Sequence, residues 1–202
     1  MAKSSAPKTT ISTQAPRDRI IDALMKLAAE NSWSQISIPM VAEQASVSLS
    51  ELRDSYPSKG AILGGFARRI DKIVLDGTDS DMLEQPMRER LLDVMMRRLD
   101  AVQPYKVALK SISSAARQDP LMLAALNQLA LNSWRYMLAA ADIETEDELG
   151  LVRIQGAALV FVRTLETWFE DDDTDLSRTM ASLDKELAKG EKIMGRFEDV
   201  RR

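Results

Sequence analysis

The side chains best suited to chemistry lie between residues 37 and 59. Leu49, Ser50 and Arg53 are spaced so that they would share one outward face of a short helix. A serine hydroxyl donates and accepts hydrogen bonds, and an arginine guanidinium can bind a phosphate or the edge of a guanine. These groups suit recognition rather than a covalent step. They predict contact with double-stranded DNA.

Two predicted helix N-termini flank this face. Ser37 and Ser58 are each placed to cap a helix, and the free N–H groups at such an end can bind a phosphate, with Lys59 adding a charge. Ser48 and Glu51 have the spacing of a capping box, which favours a structural role for Glu51 over a base contact. The predicted DNA-binding residues are Ser37, Ser48, Leu49, Ser50, Arg53, Tyr56, Ser58 and Lys59.

Three short helices would have to position these groups. The first begins near Arg17 and ends near Asn31, with apolar residues at helical spacing along one stripe. The second follows Ser37, and the third ends near Tyr56 because the next residue is a proline. A tight turn between the second and third helices predicts a helix-turn-helix, followed by a fourth helix over residues 59–75. The inward face of the third helix and its turn would be formed by Val47, Leu52 and Tyr56.

The residue inventory excludes most enzyme classes. The chain has no histidine and no cysteine, so it offers neither a Ser-His-Asp triad nor the usual zinc ligands. We therefore predict no catalytic residue, no metal site and no cofactor, and we do not expect an enzyme. Three consecutive acids, Asp171, Asp172 and Asp173, could bind a divalent cation, but a solvated turn before the last helix is the preferred interpretation.

Charge is distributed unevenly along the chain. Residues 1–60 have a net charge of +1, whereas residues 142–175 have a net charge of −9. Any surface for nucleic acid is therefore expected at the N-terminal end, although Glu51 and Asp54 place two acids on the third helix. Residues 1–16 are expected to be a flexible arm, interpreted as a plain tail in preference to a basic arm that reaches DNA.

The chain divides into an N-terminal and a C-terminal helical region. We predict a helix-turn-helix domain with its linking helix at 17–76, a helical domain at 86–195 and a tail at 196–202. The second region contains five helical segments, at about 86–101, 104–117, 120–141, 146–170 and 176–194, and no strand pattern is evident. Neither a signal peptide nor a membrane span is recognised. We therefore expect a cytoplasmic location and no stable membrane insertion.

The motif at residues 45–59 resembles the signature of the TetR family of transcriptional regulators. It reads Ala-Ser-Val-Ser-Leu-Ser-Glu-Leu-Arg-Asp-Ser-Tyr-Pro-Ser-Lys, and the resemblance extends over about residues 17–63. Ser46 and Ser50 replace usual glycines of that signature, and Arg53 replaces a tyrosine that commonly touches phosphate. The resemblance implies an all-α, TetR-like fold of about nine helices, in which a three-helix DNA-reading domain joins a C-terminal ligand-binding bundle.

Scattered residues over about 90–187 resemble the C-terminal region of COQ9-type proteins, which share the TetR fold and bind lipid or isoprenoid. They include the Pro104-Tyr105-Lys106 corner, Trp134, and Trp168 before the three acids. A pocket for a small hydrophobic or amphipathic ligand is therefore expected among apolar residues, which at this spacing can also be ordinary core. The predicted lining residues are Met95, Leu99, Tyr105, Met122, Trp134, Met137, Phe161 and Trp168.

The last two long helical segments carry an apolar pattern that fits a homodimer interface. A purely intramolecular core is the alternative for the same residues, which are Leu151, Ile154, Ala158, Phe161, Val162, Leu165, Leu176, Met180, Leu183 and Leu187. Two functional hypotheses follow. The first is a dimeric transcriptional regulator modulated by a small hydrophobic ligand. The second is a COQ9-like lipid-binding accessory protein whose helix-turn-helix no longer reads DNA.

Overall fold

A computed structural model of the chain describes residues 14–78, 80–173 and 175–200. Across these ranges the chain forms nine α-helices and no β-strand, which confirms the predicted all-α class. The N-terminal helices are α1 (Pro16–Glu30), α2 (Ile38–Ala45), α3 (Leu49–Ser55) and α4 (Lys59–Asp76). They are followed by α5 (Met87–Val102), α6 (Lys106–Ala116), α7 (Pro120–Ala140), α8 (Gly150–Trp168) and α9 (Ser177–Val200).

Short-range capping explains the N-terminal helices. The Oγ of Ser37 accepts a hydrogen bond from the Met40 N–H, and the Oγ of Ser58 accepts one from Ala61 N–H, so both predicted caps are confirmed. The turn between α2 and α3 is made by Ser46, which has a φ of 52° in the left-handed region. Glycine adopts this conformation without strain, so the serine is accommodated here at some cost.

The N-terminal helices form one apolar core with the rest of the chain. Ile20, Leu24 and Ile62 are fully buried between α1 and α4. Helix α1 also packs against α6, and α4 also packs along α5 and α7. The long helix α4 therefore touches both α1 and the C-terminal helices (α5–α9).

Two predicted boundaries in the C-terminal region are wrong. Helix α8 begins at Gly150 rather than near residue 146, because the Glu144 carboxylate accepts the N–H groups of Thr145 and Glu146 and holds them in a turn. Helix α9 continues to Val200 rather than ending near residue 194. Most of the predicted arm lies outside the described residues, and so do the last two residues of the predicted tail.

The three acids before α9 are not a uniformly solvated turn. Asp171 is fully buried, and its Oδ2 accepts hydrogen bonds from the N–H of Thr179 at 2.8 Å and from its hydroxyl at 2.6 Å. These bonds lower the pKa of Asp171. Asp171 therefore caps the first turn of α9, whereas Asp172 and Asp173 are exposed. No group of three or more potential metal-ligating side chains occurs among the residues that the structure describes.

None of the helices in the described ranges is long and apolar enough to cross a membrane.

Candidate nucleic-acid interface and its link to the C-terminal helices

Helix α3 presents the face that the sequence predicts. Leu49, Ser50 and Arg53 are exposed, while Leu52 on the opposite side of the helix is buried. The Arg53 guanidinium donates a hydrogen bond to the Pro57 carbonyl at 3.2 Å, which holds it near the C-terminal end of α3. An arginine on such a surface can exchange this single bond for a bidentate contact with a phosphate or a guanine.

The capping box at the start of α3 is present. The Oγ of Ser48 accepts a hydrogen bond from the Glu51 N–H, and the Glu51 carboxylate accepts one from the Ser48 N–H at 2.8 Å. The Ser48 hydroxyl also lies 2.8 Å from that carboxylate. Hydrogen bonds from the Ser48 backbone and side chain lower the pKa of Glu51. The structural role predicted for Glu51 is thereby confirmed, and this acid is held at the cap.

Acidification is expected to weaken this cap. The pKa of Glu51 is depressed below its ordinary value of 4.5, so its contribution to stability is complete above that pH and is lost as the pH falls through the folded-state pKa. We expect Glu51→Gln to have a lower free energy of unfolding than the unmodified chain at pH 7. This difference between the two chains should become smaller as the pH is lowered toward 3. Urea unfolding at several pH values measures this. Glu43→Gln, at an exposed position on α2, is the control, and a Glu51→Gln difference that is independent of pH would contradict the assignment.

Lys59 lies between the linker after α1 and the start of α4. Its Nζ donates hydrogen bonds to the carbonyls of Trp33 at 3.0 Å and Ile36 at 2.7 Å, and it lies 4.5 Å from the centre of the Trp33 ring. Desolvation lowers the pKa of Lys59. The side chain therefore ties two segments together, a role that sequence reasoning missed. Substituting it would disturb the domain as well as any phosphate contact.

The side chain of Tyr56 packs in the core. The geometry therefore does not support the predicted contact between this side chain and DNA. The Tyr56 side chain is 5% exposed, with the Arg17 guanidinium 5.5 Å from the ring centre. A methyl group added to Gly65 on α4 would lie 2.5 Å from the Tyr56 hydroxyl oxygen and 2.8 Å from two ring carbons. The end of α3 is thus seated against a glycine of α4.

Substitution of this glycine should disturb the end of α3. We expect Gly65→Ala to displace the Tyr56 ring and to cost about 1–3 kcal/mol of unfolding free energy, the usual range for overpacking. Gly64→Ala is the matched control, since its added methyl would make ordinary contact at 3.4 Å with Leu129 and would gain helix propensity. Thermal unfolding of the two variants measures the difference. If the two variants were equally stable, the Tyr56 ring would be able to move aside without an energetic cost, which would contradict the prediction.

Arg19 links α1 to the C-terminal end of α2. The Arg19 guanidinium donates to the carbonyls of Ala45 and Ser46 at 3.2 and 3.3 Å, at the C-terminal end of α2. These carbonyls lack partners within the helix, and a cation at this end also offsets the helix dipole. The sequence signal for this contact is weak because the partners lie 26 and 27 residues apart.

Most of the predicted ligand residues are packed in the core of the C-terminal helices, and none of them lines the groove between α7 and α8. Trp134 and Phe161 meet edge to face with ring centres 5.2 Å apart. The indole N–H of Trp168 donates to Gln103 at 2.8 Å, so its polar atom is satisfied. Tyr105 and Met122 are half-buried, and the buried residues of the predicted set are Met95, Leu99, Trp134, Met137, Phe161 and Trp168.

A buried ion pair lies beside this aromatic pair, and sequence reasoning missed it. Arg98 of α5 donates to Asp71 of α4 at 2.5 Å, and the Ser133 hydroxyl of α7 donates to the other Asp71 oxygen at 2.8 Å. The guanidinium lies 5.8 Å from the ring centres of both Trp134 and Phe161. A sequence signal existed, because Arg98 lies on the apolar face of α5, four residues from both Val94 and Val102.

Arg69, two residues before Asp71 on α4, bridges the N-terminal helices and the turn after α5. Its guanidinium donates to the Asp22 carboxylate of α1 at 2.7 Å and to the Tyr105 hydroxyl at 3.2 Å. The Tyr105 ring also meets Phe66 of α4 edge to face at 4.9 Å. Helix α4 is therefore joined by Asp71 to α5 and α7, and by Arg69 to α1.

The predicted dimer residues separate into two groups. Ile154, Ala158, Phe161, Leu176, Leu183 and Leu187 are buried within the single chain, which fits the intramolecular alternative, and Leu165 is half-buried. Leu151, Val162 and Met180 are exposed. On α8 the exposed residues Val152 and Leu159, which the prediction did not include, share one helical face with Leu151 and Val162, and Ile193 of α9 is exposed as well.

An open groove of about 630 Å³ runs between α7 and α8 and shares Leu151, Val152 and Leu159 with this exposed surface. The groove is mostly apolar, and the exposed side chain of Arg135 on α7 lies at its rim. Its lining residues are Gln128, Leu131, Arg135, Leu151, Val152, Ile154, Gln155, Gly156 and Leu159.

Comparison with known proteins gives one curated relative and several similar structures. The relative is the HTH-type transcriptional repressor KstR of Rhodococcus jostii (strain RHA1), 28% identical over 136 residues. The match covers 66% of this chain and only 54% of the length of KstR, so the chain spans about half of that relative. No family model matches the chain.

The similar solved structures cover both regions of the chain. A TetR transcriptional regulator from Nitrosomonas europaea ATCC 19718 has a TM-score of 0.65 and 22% identity, over 86% of this chain and 97% of that one. A TetR regulator from Rhodococcus sp. RHA1 has a TM-score of 0.60 and 18% identity, over 87% and 95%. FadR from Bacillus subtilis, solved in complex with stearoyl-CoA, has a TM-score of 0.52 and 18% identity, over 86% and 98%.

These matches extend through the C-terminal helices as well as the helix-turn-helix, and none of the proteins named above is of the COQ9 type. The resemblance to COQ9-type proteins therefore still depends only on scattered residues. This chain has the fold of the TetR-type transcriptional regulators.

Proposed function

We propose that the chain is a dimeric DNA-binding regulator of transcription that acts in the cytoplasm and responds to a small hydrophobic or amphipathic ligand. The observation that carries the DNA-binding part is the exposed face of α3. Leu49, Ser50 and Arg53 point outward from a short helix whose other face is buried. The helix N-termini capped by Ser37 and Ser58 lie on either side of it in the chain and would add phosphate contacts.

The dimer proposal is supported by the exposed apolar surface of α8 and α9. Leu151 is 68% exposed and Val162 is 53% exposed, on a helix whose other side is packed into the core. A second copy would remove this surface from water, and the two α3 helices would then read two half-sites of one DNA duplex.

The ligand proposal is supported by the position of the interior residues relative to α4. Trp134 and Phe161 lie against Arg98, which is paired with Asp71 of α4. A ligand that separates these groups would act on the helix that also contacts α1. FadR, a similar fold, is described in complex with stearoyl-CoA, which favours an apolar or amphipathic ligand here. The coupling would be a shift between two arrangements of α4.

DNA binding is tested by measuring affinity across a salt series. Duplexes are first selected by the full chain from a randomised pool, and binding is compared with an unselected duplex of equal length. We expect saturable binding that weakens steeply with salt, because Arg53 and the helix N-termini would displace counterions from phosphates. Arg53→Ala should either lower the salt slope by about one if it contacts phosphate, or relax the base preference if it contacts guanine.

Arg117→Ala is the matched control, since it removes an equal charge from an exposed position at the end of α6, outside α3 and outside the α7–α8 groove. It should leave both the slope and the base preference unchanged. If the unmodified chain shows no saturable binding at low salt, the regulator proposal fails. Lipid found by mass spectrometry of the purified protein would then favour the COQ9-like alternative.

A further inference from the structure

Leu49 is the only strongly exposed apolar side chain on the described surface of α3. It is 54% exposed, whereas Leu52 and Tyr56 at the other side and end of this helix are 2% and 5% exposed. A single exposed leucine is common on protein surfaces and means little alone. Its position gives it meaning, because it is the first residue of α3 and shares the outward face with Ser50 and Arg53.

The polar side chains beside Leu49 are committed to the helix cap. Ser48 and Glu51 bond to each other's backbone N–H groups, so neither is free to read a base without losing the capping box. Arg53 lies one turn further along and is held toward the C-terminal end of α3 by Pro57. The first turn of α3 therefore presents the isobutyl group of Leu49 and the hydroxyl of Ser50.

A DNA major groove contains one apolar group that such a side chain can contact. The 5-methyl group of thymine projects into the major groove, and apolar residues are its usual partners. The N-terminal residues of a recognition helix are those that approach base edges. A leucine placed against a polar base edge would remove water from that edge without replacing its hydrogen bonds, whereas against a methyl group it gains apolar burial.

We propose that Leu49 contacts the 5-methyl group of a thymine and so specifies thymine at one position in each half-site. This assignment depends on the proposed function, since it requires α3 to enter the major groove. It makes Leu49 a specificity-determining residue whose contribution is apolar and independent of salt.

The test replaces single thymines in the selected duplex by deoxyuridine, which removes only the methyl group. At one thymine of each half-site, the substitution should weaken binding by the full chain about fourfold, the factor expected for one buried methyl group. Leu49→Ala should bind the thymine and deoxyuridine duplexes alike at that position. Leu49→Met, which keeps an apolar side chain, should retain the discrimination.

A second arm adds the methyl group to a different base. Cytosine at the sensitive position should bind poorly, and 5-methylcytosine should recover part of the lost affinity for the unmodified chain and none for Leu49→Ala. Thermal unfolding should be the same for Leu49→Ala and the unmodified chain, because the side chain is exposed. If no thymine is sensitive to deoxyuridine, or if Leu49→Ala stays equally sensitive, this inference is overturned while DNA binding stands. If the unmodified chain selects no duplex, both proposals fail.

Discussion

Replacement of Asp71 by alanine is expected to lower the free energy of unfolding by about 3–5 kcal/mol. The side chains of Asp71 and Arg98 are only 12% and 11% exposed, so the variant would leave the guanidinium buried without its carboxylate. It would also remove the acceptor of the Ser133 hydroxyl. Urea-induced unfolding followed by circular dichroism measures the loss.

The same helix offers a matched control for this variant. Asp76 pairs with Lys72 at 2.6 Å, but these side chains are 63% and 74% exposed, and an exposed pair contributes about 0–1 kcal/mol. Asp76→Ala should therefore change stability little. A small effect of Asp71→Ala, comparable to that of Asp76→Ala, would show that water reaches Arg98 and that the pair is not a buried one.

A double variant separates the loss of the pair from the burial of a lone charge. Asp71→Leu combined with Arg98→Met removes both charges and keeps apolar side chains in the core. It should be more stable than Asp71→Ala, because a buried ion pair is costly chiefly when one partner is missing. If α4 transmits a ligand signal through Asp71, the double variant should still select DNA but should not release it on ligand binding.

The N-terminal helices could be predicted from sequence because local interactions determine them. Ser37, Ser48 and Ser58 each cap a helix through a residue three positions later, and such spacings are visible in the sequence alone. The outward position of Ser50 and Arg53 then follows from helical periodicity once Leu52 is assigned to the core. Prediction was wrong at the start of α8 because a side chain, Glu144, competes for backbone N–H groups that would otherwise begin the helix.

Contacts between distant residues account for the rest of what the sequence did not reveal. The partner of Arg98 is 27 residues away, and the two partners of Lys59 are 23 and 26 residues away. These partners lie on other elements of the chain, and helical periodicity does not define how the elements are placed relative to one another. The burial of Asp171 depends on its hydrogen bond with Thr179, which comes close to it only in the folded chain. Apolar spacing on α8 likewise could not distinguish Phe161, which packs inside, from Val162, which is exposed.

A charge placed on the exposed face of α8 is expected to produce monomers and to abolish most DNA affinity. Leu159 is 47% exposed on the α8 surface proposed for the second copy, where it also lines the α7–α8 groove. In Leu159→Glu the interface could form only by taking a carboxylate out of water among the apolar side chains of α8, so each chain would remain alone. The side chain is half in water in the single chain, and its own fold should tolerate the change.

Two measurements make this prediction specific. Sedimentation should give twice the chain mass for the unmodified protein and one chain mass for Leu159→Glu, with unchanged helical content. Affinity for a selected two-half-site duplex should fall about 10²-fold or more, because the second half-site is then bound without the gain of linkage. Val107→Glu is the control, since Val107 is 64% exposed and belongs to α6 rather than to the proposed interface. If both variants form dimers, the interface lies elsewhere on the chain. If both are monomers, any new charge disrupts assembly and the effect is not specific to α8.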